Sequence, residues 1–543
     1  MDKLWYKNAV IYSLDVESFM DSNGDGIGDL KGLRHRLNYL ASLGINCIWL
    51  LPFYKTPNRD NGYDIMDYYQ IDPRLGDLGH FAELMDAAEE AGIRVLLDLV
   101  VNHTSNEHHW FKEARKNKDS KYRDYYIWCD EKPESDGEYA IFGKAQGGST
   151  WKYDDVAGAY YYHTFYEFQP DLNISNPAVQ EEIMRIMHFW LKMGISGFRM
   201  DAAPHMIREK GNESFEGDPH DVLRRLRAFV EGQKKDAILL AEVDVEPERY
   251  EEFFGNGDQM HMLFNFYVNN YIFLALARKS ATPIIDALKT LPKFSENEQL
   301  ANFLRNHDEL DLERLTDEER QEVYEAFAPD EDMRIYGRGI RRRLASMLNN
   351  DRARLELAYS LLLTLPGSPV LRYGQEIGMG EDLSQEGRKS VRTLMQWSAG
   401  SNGGFSKAPK DKLVKKIIVE GPYGYKAHNV NDQHRDPNSF LNWMIRAINL
   451  RKESPEYGWG DFQVLETNNS KVLAGYRTSN KGIGIAIHNF SDQEQTVKLE
   501  LDEPENFTEI FGDKKYNDFD PASQEIKLSP YGYRWFRKRK FMM

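Results

Sequence analysis

Residues 95–101 read Val95-Leu96-Leu97-Asp98-Leu99-Val100-Val101. Apart from Asp98 neither alternating face of this run is polar. A strand of that kind belongs between two apolar layers, as in a parallel sheet that is covered by helices and closed around its own interior. Ahead of it, residues 80–91 have helical spacing, and Ile45-Asn46-Cys47-Ile48-Trp49-Leu50-Leu51 is another apolar run, closed by Pro52. Earlier still, Val10-Ile11-Tyr12 reads as a buried strand, and Leu33, Leu37, Leu40 and Leu43 repeat as on one helix. The alternation continues downstream. Helices over 177–193, around 222–230, around 283–291 and over 352–365 precede Gly197-Phe198-Arg199-Met200, Ile238-Leu239-Leu240, Phe303-Leu304 and Val370-Leu371. Strands alternating with helices pair in parallel, and about eight such units predict an α/β fold, a closed (β/α)8 TIM barrel.

Two segments break the rhythm: an aromatic, Gly-rich stretch over about 104–169 and a polar stretch over about 381–437. Long insertions in a barrel belong in the loops after strands, where active sites form, so both are expected to wall a pocket. From about residue 462 short alternating strands with Asn- and Gly-rich turns take over. The predicted organisation is a barrel over 1–103 and 170–455, a lid subdomain after strand 3 over 104–169, and a C-terminal antiparallel β-sandwich over 456–543.

Composition narrows the function classes. The chain has 543 residues and a net charge of −17, which opposes binding to nucleic acid or to an anionic membrane. No apolar run reaches the roughly 18 residues that span a bilayer, and the first residues show no signal-peptide pattern. A cytoplasmic location is the default expectation. Cys47 and Cys129 are the only cysteines, too few for a disulfide framework. The basic end, residues 534–540, reads as a solvated edge. Aromatic residues make up 13%, and their flat faces with hydrogen-bonding tips suit sugar rings. A homo-oligomer is compatible with the sequence, which does not fix the oligomeric state.

Asp21-Ser22-Asn23-Gly24-Asp25-Gly26-Ile27-Gly28-Asp29-Leu30 opens like a calcium loop of the helix-loop-helix type, D-x-N-x-D-G. Its twelfth position is Gly32 instead of Glu, and its flanks read as strand and helix, so it is a loop of another kind. Polar residues gather at the strand ends: Asn102 and His103 after the third, Arg199 and Asp201 at the fourth, Glu242 after the fifth, and His307 and Asp308 after the seventh. These ends converge on one mouth in a parallel barrel. Asp201, Glu242 and Asp308 then share a pocket and supply what a retaining glycosidase needs, an ionised carboxylate to attack the anomeric carbon and a protonated one to serve the leaving oxygen.

Asp98-Leu99-Val100-Val101-Asn102-His103, Gly197-Phe198-Arg199-Met200-Asp201-Ala202, Ala241-Glu242 and Arg305-Asn306-His307-Asp308 resemble, in order and spacing, the signature regions of the α-amylase superfamily, glycoside hydrolase family 13. Gln169-Pro170-Asp171-Leu172-Asn173 looks like a fifth region of its oligo-1,6-glucosidase type. Trp5-Tyr6-Lys7-Asn8-Ala9-Val10-Ile11-Tyr12, Trp49-Leu50-Leu51-Pro52-Phe53-Tyr54, Met395-Gln396-Trp397-Ser398 and Tyr531-Gly532-Tyr533-Arg534-Trp535-Phe536 extend the resemblance nearly end to end, toward the branch that interconverts maltose and trehalose.

The resemblance implies Asp201 as nucleophile, Glu242 as general acid/base and Asp308 as stabiliser of the transition state. It implies a glucose subsite lined by Asp64, His103, Arg199, His307 and Arg392, with Tyr63 as stacking platform. It also implies a structural calcium, or magnesium, on Asp21, Asn23, Asp25, the Ile27 carbonyl and Asp29, and no organic cofactor. A second calcium near Asn102 and Asp171 is not expected, because Arg208 stands where an acidic ligand belongs. The expected partners are small α-glucosides, maltose and trehalose. The sequence departs from that branch at Val243-Asp244-Val245-Glu246, Arg372, Gln375 and Leu394. These departures leave an α-glucosidase or another transglucosylase of the family as the alternative. A noncatalytic relative that partners a membrane transporter is the remote one, since it would lack the three carboxylates.

Overall fold

The structure, a computed structural model, describes residues 3–133, 148–211 and 215–539. Eight parallel strands close a barrel: Ile11–Leu14, Cys47–Leu50, Arg94–Leu99, Gly197–Met200, Ile238–Ala241, Met262–Phe264, Gln299–Phe303 and Ser368–Arg372, each paired with its neighbours in chain order and the last with the first. Alternate side chains face inward, and Ile11, Trp49, Leu96, Leu240, Phe264, Phe303 and Val370 pack into one interior core. Their neighbours Val95, Leu97, Leu239 and Leu371 join the outer core under the helices. That double burial is why residues 95–101 carry no polar face.

The helices begin where local chemistry permits. Helix Pro177–Lys192 opens on Pro177 with Asn176 accepting the Ala178 N–H, and it stops before Gly194, whose φ of 101° no other residue adopts easily. Helix Arg352–Thr364 is capped by Asp351 and is buried along nearly its whole length, because the C-terminal sheet covers the side turned away from the barrel.

Several expectations are corrected. The leucine repeat over 33–43 is two helices, Leu30–His35 and Leu37–Leu43, broken at Arg36. The seventh strand ends at Phe303, and the sixth, Met262–Phe264, carries too short an apolar run to stand out. A third excursion lies after the seventh strand, where Leu310–Asp311, Arg334–Ile335 and Gly339–Ile340 form a small sheet beside helix Asp317–Phe327. The basic end is not a solvated edge. Tyr533–Arg539 is an inner strand of the five-stranded C-terminal sheet, with Arg534 paired to Glu509 at 2.5 Å and Arg537 to Glu456 at 2.5 Å; Lys540 lies outside the described residues. Within 104–169 the described parts are helix His109–Lys116 and a three-stranded sheet built from Trp128–Cys129, Trp151–Asp154 and Ala159–Tyr162; residues 134–147 lie outside them. Among the described residues no helix is long and apolar enough to cross a membrane.

Candidate active site

The strand ends deliver the acids to one cavity of about 390 Å³, lined by Tyr63, His103, Asp201, Glu242 and Asp308. Its hub is Arg199, buried at the end of the fourth strand. Nη1 donates to Asp98 Oδ1 at 2.8 Å and to Asp201, and Nη2 donates to Glu242 Oε2 at 2.5 Å. Ala202 then turns into the left-handed region at φ 48°, so the chain leaves the strand at Asp201 and its N–H points at Glu242 Oε2, 3.3 Å away.

Burial raises both acids, against the pull of Arg199. The Asp201 carboxyl is pushed up to about 6, with Asp98 and Asp308 adding repulsion, and Glu242 to about 7, with Asp201 and Asp308 adding theirs. Asp308 goes the other way. Burial would raise it, but Arg388 at 2.6 Å, His307 at 3.0 Å and Arg392 at 2.7 Å hold it well below the usual carboxylate range. One pocket therefore keeps one acid ionised and leaves another able to carry a proton near neutrality.

Tyr63 and His307 lie parallel, centroids 5.5 Å apart, and the Tyr63 hydroxyl bridges His307 Nε2 at 2.8 Å and Asp98 Oδ2 at 3.0 Å. His103 Nε2 donates to the Tyr63 carbonyl at 3.0 Å, and burial lowers its pKa. Asp64, Arg199, His307 and Arg392 are buried, and each bonds to a residue that lines the cavity: Asp64 to the Asp60 N–H, Arg199 to Asp201 and Glu242, His307 to Tyr63, and Arg392 to Asp308. Asp64, fully buried, accepts from Thr56 Oγ1 and from the N–H groups of Arg59 and Asp60. Arg392 Nε donates to the His307 carbonyl at 2.8 Å.

Two residues that sequence reasoning passed over, Asp60 and Arg388, line the cavity beside Asp308. Arg388, from the polar segment after the eighth strand, reaches Asp308 and, at 3.1 Å, Asp60, whose other oxygen accepts from Gln169 Nε2 at 3.0 Å. Phe165 and Arg388 line the cavity from the two expected walls, and Glu309, Asp311 and Arg338 line it from the unexpected third excursion.

The loop at 21–29 has the donor chemistry of a hard-cation site, all oxygen. Asp21 Oδ1 accepts the Asn23 N–H at 3.0 Å, Asn23 Oδ1 the Asp25 N–H at 2.8 Å, and Asp25 Oδ1 the Ile27 N–H at 2.8 Å, so each of these side chains closes a turn on the backbone two residues on. Asp29 faces its own helix, accepting from Gly32 N and Ser22 Oγ. Near Asn102 and Asp171 the structure places a cation of its own. Lys210 Nζ lies 2.6 Å from Asn102 Oδ1 and 2.8 Å from Asp171 Oδ2, so this pair does not fit a second metal. Among the described residues, one cluster of three acids has oxygens within 4.8 Å of one another, Asp244, Asp311 and Glu313, and Arg314 and Arg338 already pair with it.

The family model described as "Alpha amylase, catalytic domain" matches residues 11–328 and 340–460, and that described as "Maltogenic Amylase, C-terminal domain" matches residues 462–535. The trehalose synthase/amylase of Mycolicibacterium smegmatis is 40% identical over 99% of this chain and 93% of its own length. The trehalose synthase of Pimelobacter sp. is 40% identical over 98% of this chain and 96% of its own. Among solved structures, the α-amylase from H. orenii superposes with a TM-score of 0.79 at 29% identity, covering 98% of this chain and all of that one.

Proposed function

The chain belongs to the α-amylase family, glycoside hydrolase family 13, and from that premise we propose that it interconverts maltose and trehalose by moving a glucosyl unit through the enzyme itself, with some hydrolysis. The observation that carries the chemistry is the shared guanidinium of Arg199, which holds Asp201 and Glu242 side by side. A bridge of that kind favours the short carboxyl separation of a retaining enzyme, about 5 Å, over the roughly 6.5–9.5 Å that inversion needs.

Asp201 attacks C1 of the bound α-glucoside while Glu242 gives its proton to the departing oxygen, which leaves glucose and a β-glucosyl ester on Asp201. Asp308, held ionised by its cations, grips ring hydroxyls as positive charge develops at C1. Glu242, now the base, takes a proton from the anomeric hydroxyl of the freed glucose, which attacks C1 and leaves trehalose. If water attacks instead, the outcome is two glucose molecules. Isomerisation therefore depends on keeping glucose enclosed at high effective concentration, and the Asp60–Arg388–Asp308 bridge across the mouth supports such a closed pocket. Asp21, Asn23, Asp25, the Ile27 carbonyl and Asp29 would hold a structural calcium, or magnesium, that fixes the first βα loop and takes no part in the steps above.

The alternative is an α-glucosidase: Asp244, where the sequence departs from the maltose–trehalose branch, lines the cavity and pairs with Arg314 at 3.0 Å. The test is incubation with maltose and, separately, with trehalose, followed by separation of the sugars. The proposal expects each disaccharide to appear from the other. Glucose as sole product would establish the hydrolase.

A further inference from the structure

The loop after the second barrel strand carries Asp60 and Tyr63 to the pocket through sparsely populated backbone conformations. Asn58 and Asn61 lie in the left-handed region at φ 57° and 51°, and Gly62 follows at φ 93°, where a Cβ would come within 2.5 Å of the Pro52 carbonyl oxygen. The Tyr63 N–H donates back to the Asp60 carbonyl at 3.0 Å and closes the turn. Such conformations persist where their surroundings over-determine them. Here both asparagines reach one cluster: Asn58 Nδ2 donates to Glu17 Oε2 at 3.3 Å, and Asn61 Nδ2 to Asp15 Oδ2 at 3.4 Å.

Asp15 and Glu17 follow the first strand, 6% and 5% exposed, and two buried carboxylates so close in the chain need a cation. Lys415 supplies it from the polar segment after the eighth strand. Its Nζ lies 2.8 Å from Asp15 Oδ2, 2.8 Å from Glu17 Oε1, 2.8 Å from Ser18 Oγ and 3.2 Å from Asn61 Oδ1, so three ammonium hydrogens are shared among four acceptors drawn from two loops. Arg74, held by Asp72, takes the other Glu17 oxygen at 3.1 Å. Burial would raise the Asp15 carboxyl, and Lys415, ahead of Arg372 and Arg392, pulls it below the usual carboxylate range. The backbone beside the lysine is fixed as well, with the Val414 N–H donating to the Gly26 carbonyl at 3.0 Å.

We propose that Lys415 is a positioning residue of the glucosyl-transfer reaction: its ammonium pins Asn61 to the loop after the first strand and so fixes the turn that sets Asp60 against Arg388 and Tyr63 against His307. The path is short. Asp60 directly precedes Asn61, and its Oδ1 accepts from Arg388 Nη2 at 3.1 Å, while the Tyr63 hydroxyl meets His307 Nε2 at 2.8 Å and Asp98 Oδ2 at 3.0 Å. A turn released from the lysine carries both residues off these partners, whereas Asp201 and Glu242 stay on Arg199, so the loss falls on holding the sugar more than on the chemical step. Enclosure of freed glucose by this turn rests on the maltose–trehalose reading; delivery of Asp60 and Tyr63 to the pocket needs only a glucosyl-transferring enzyme.

Lys415→Met, Lys415→Arg and Asn61→Gly are compared with the unaltered full-length protein at a temperature where each is fully folded by circular dichroism, with maltose and with para-nitrophenyl α-glucoside as substrates. Lys415→Met is expected to lower kcat/KM roughly tenfold or more on both substrates, chiefly through KM, and to raise the share of maltose turnover that ends as free glucose. Lys415→Arg, which keeps a cation, is expected to recover most of that loss. Asn61→Gly removes the tether without stranding a buried charge and keeps the left-handed turn accessible. It is expected to move KM and the glucose share in the same direction with little change in Tm, a result independent of whether Lys415→Met folds. Unchanged KM and glucose share in Asn61→Gly would overturn the proposal, and so would a Lys415→Met defect confined to Tm. Glucose as sole product of the unaltered protein would overturn the maltose–trehalose reading instead, and KM on the aryl glucoside would still decide the role of Lys415.

Discussion

Lys210 is 3% exposed, and its ammonium stands between Asn102 Oδ1 and Asp171 Oδ2. Asp171 also accepts from Thr164 N and Thr164 Oγ1, so the lysine ties the base of the lid to the third strand's end. Removing one partner of a buried pair strands the other, a loss of about 3–5 kcal/mol. Lys210→Met is expected to lower stability by that order, measured by denaturant unfolding, while Lys210→Ala leaves a gap that added calcium partly restores. Glu242 makes a second prediction. Turnover needs Asp201 ionised and Glu242 protonated, so the profile of kcat/KM against pH should be a narrow bell with flanks at about 6 and about 7. The same raised carboxyl means that the native chain binds more protons than the unfolded one between about 4.3, the unperturbed glutamate value, and about 7. By linkage its contribution to stability falls as pH rises through that window, so Glu242→Gln should melt higher than the unaltered protein at pH 8 while losing nearly all turnover. The three acids were legible because each follows a strand in a recognisable stretch. Asp60 and Arg388 were not, because each sits in an irregular segment, and only the closed barrel brings residues 328 positions apart to 3.1 Å.

Loops and strands differ in how plainly they announce themselves. The first, third, fourth and eighth strands were readable from short, mainly apolar runs between helices, whereas Met262–Phe264 is three residues long and depends on its neighbours for pairing. The third excursion escaped notice because its strands are two residues each and its helix is highly charged, patterns that look the same as an exposed connection. The loop at 21–29 showed its oxygen-rich composition in the sequence but not its fold. Its turns are closed by Asp and Asn side chains accepting backbone N–H groups, and Asp21 Oδ2 reaches across to Ser406 Oγ at 2.5 Å in the segment after the eighth strand. A cation held there would brace both segments. Adding a chelator is therefore expected to lower Tm, added calcium to restore it, and Asp25→Ala to abolish the difference; an identical melt with and without chelator removes the proposed ion from Asp21 to Asp29.

At the scale of the whole molecule, the C-terminal sheet is a wall of the barrel as much as a domain beside it. Helix Arg352–Thr364 lies between the two, and its polar residues are the fasteners. Trp535 Nε1 donates to Ser360 Oγ at 2.8 Å, His488 Nε2 meets the same hydroxyl at 2.9 Å, and Tyr533 donates to Glu356 Oε2 at 2.8 Å while accepting from Trp443 Nε1 at 2.6 Å. Such groups are stable only with the sheet in place, since separation would expose Leu357, Leu361 and their neighbours and strand a buried hydroxyl. The helix leads directly into the strand Ser368–Arg372, which closes the barrel, so loosening the sheet loosens the pocket. Trp535→Ala should cost about 3–5 kcal/mol through the cavity it leaves and the hydrogen bond it removes. Because the two parts share one buried interface, the loss should appear as a single transition at lower temperature, with helical signal and maltose turnover disappearing together. Two separated transitions, with turnover following only the later one, would show instead that the sheet folds and melts on its own.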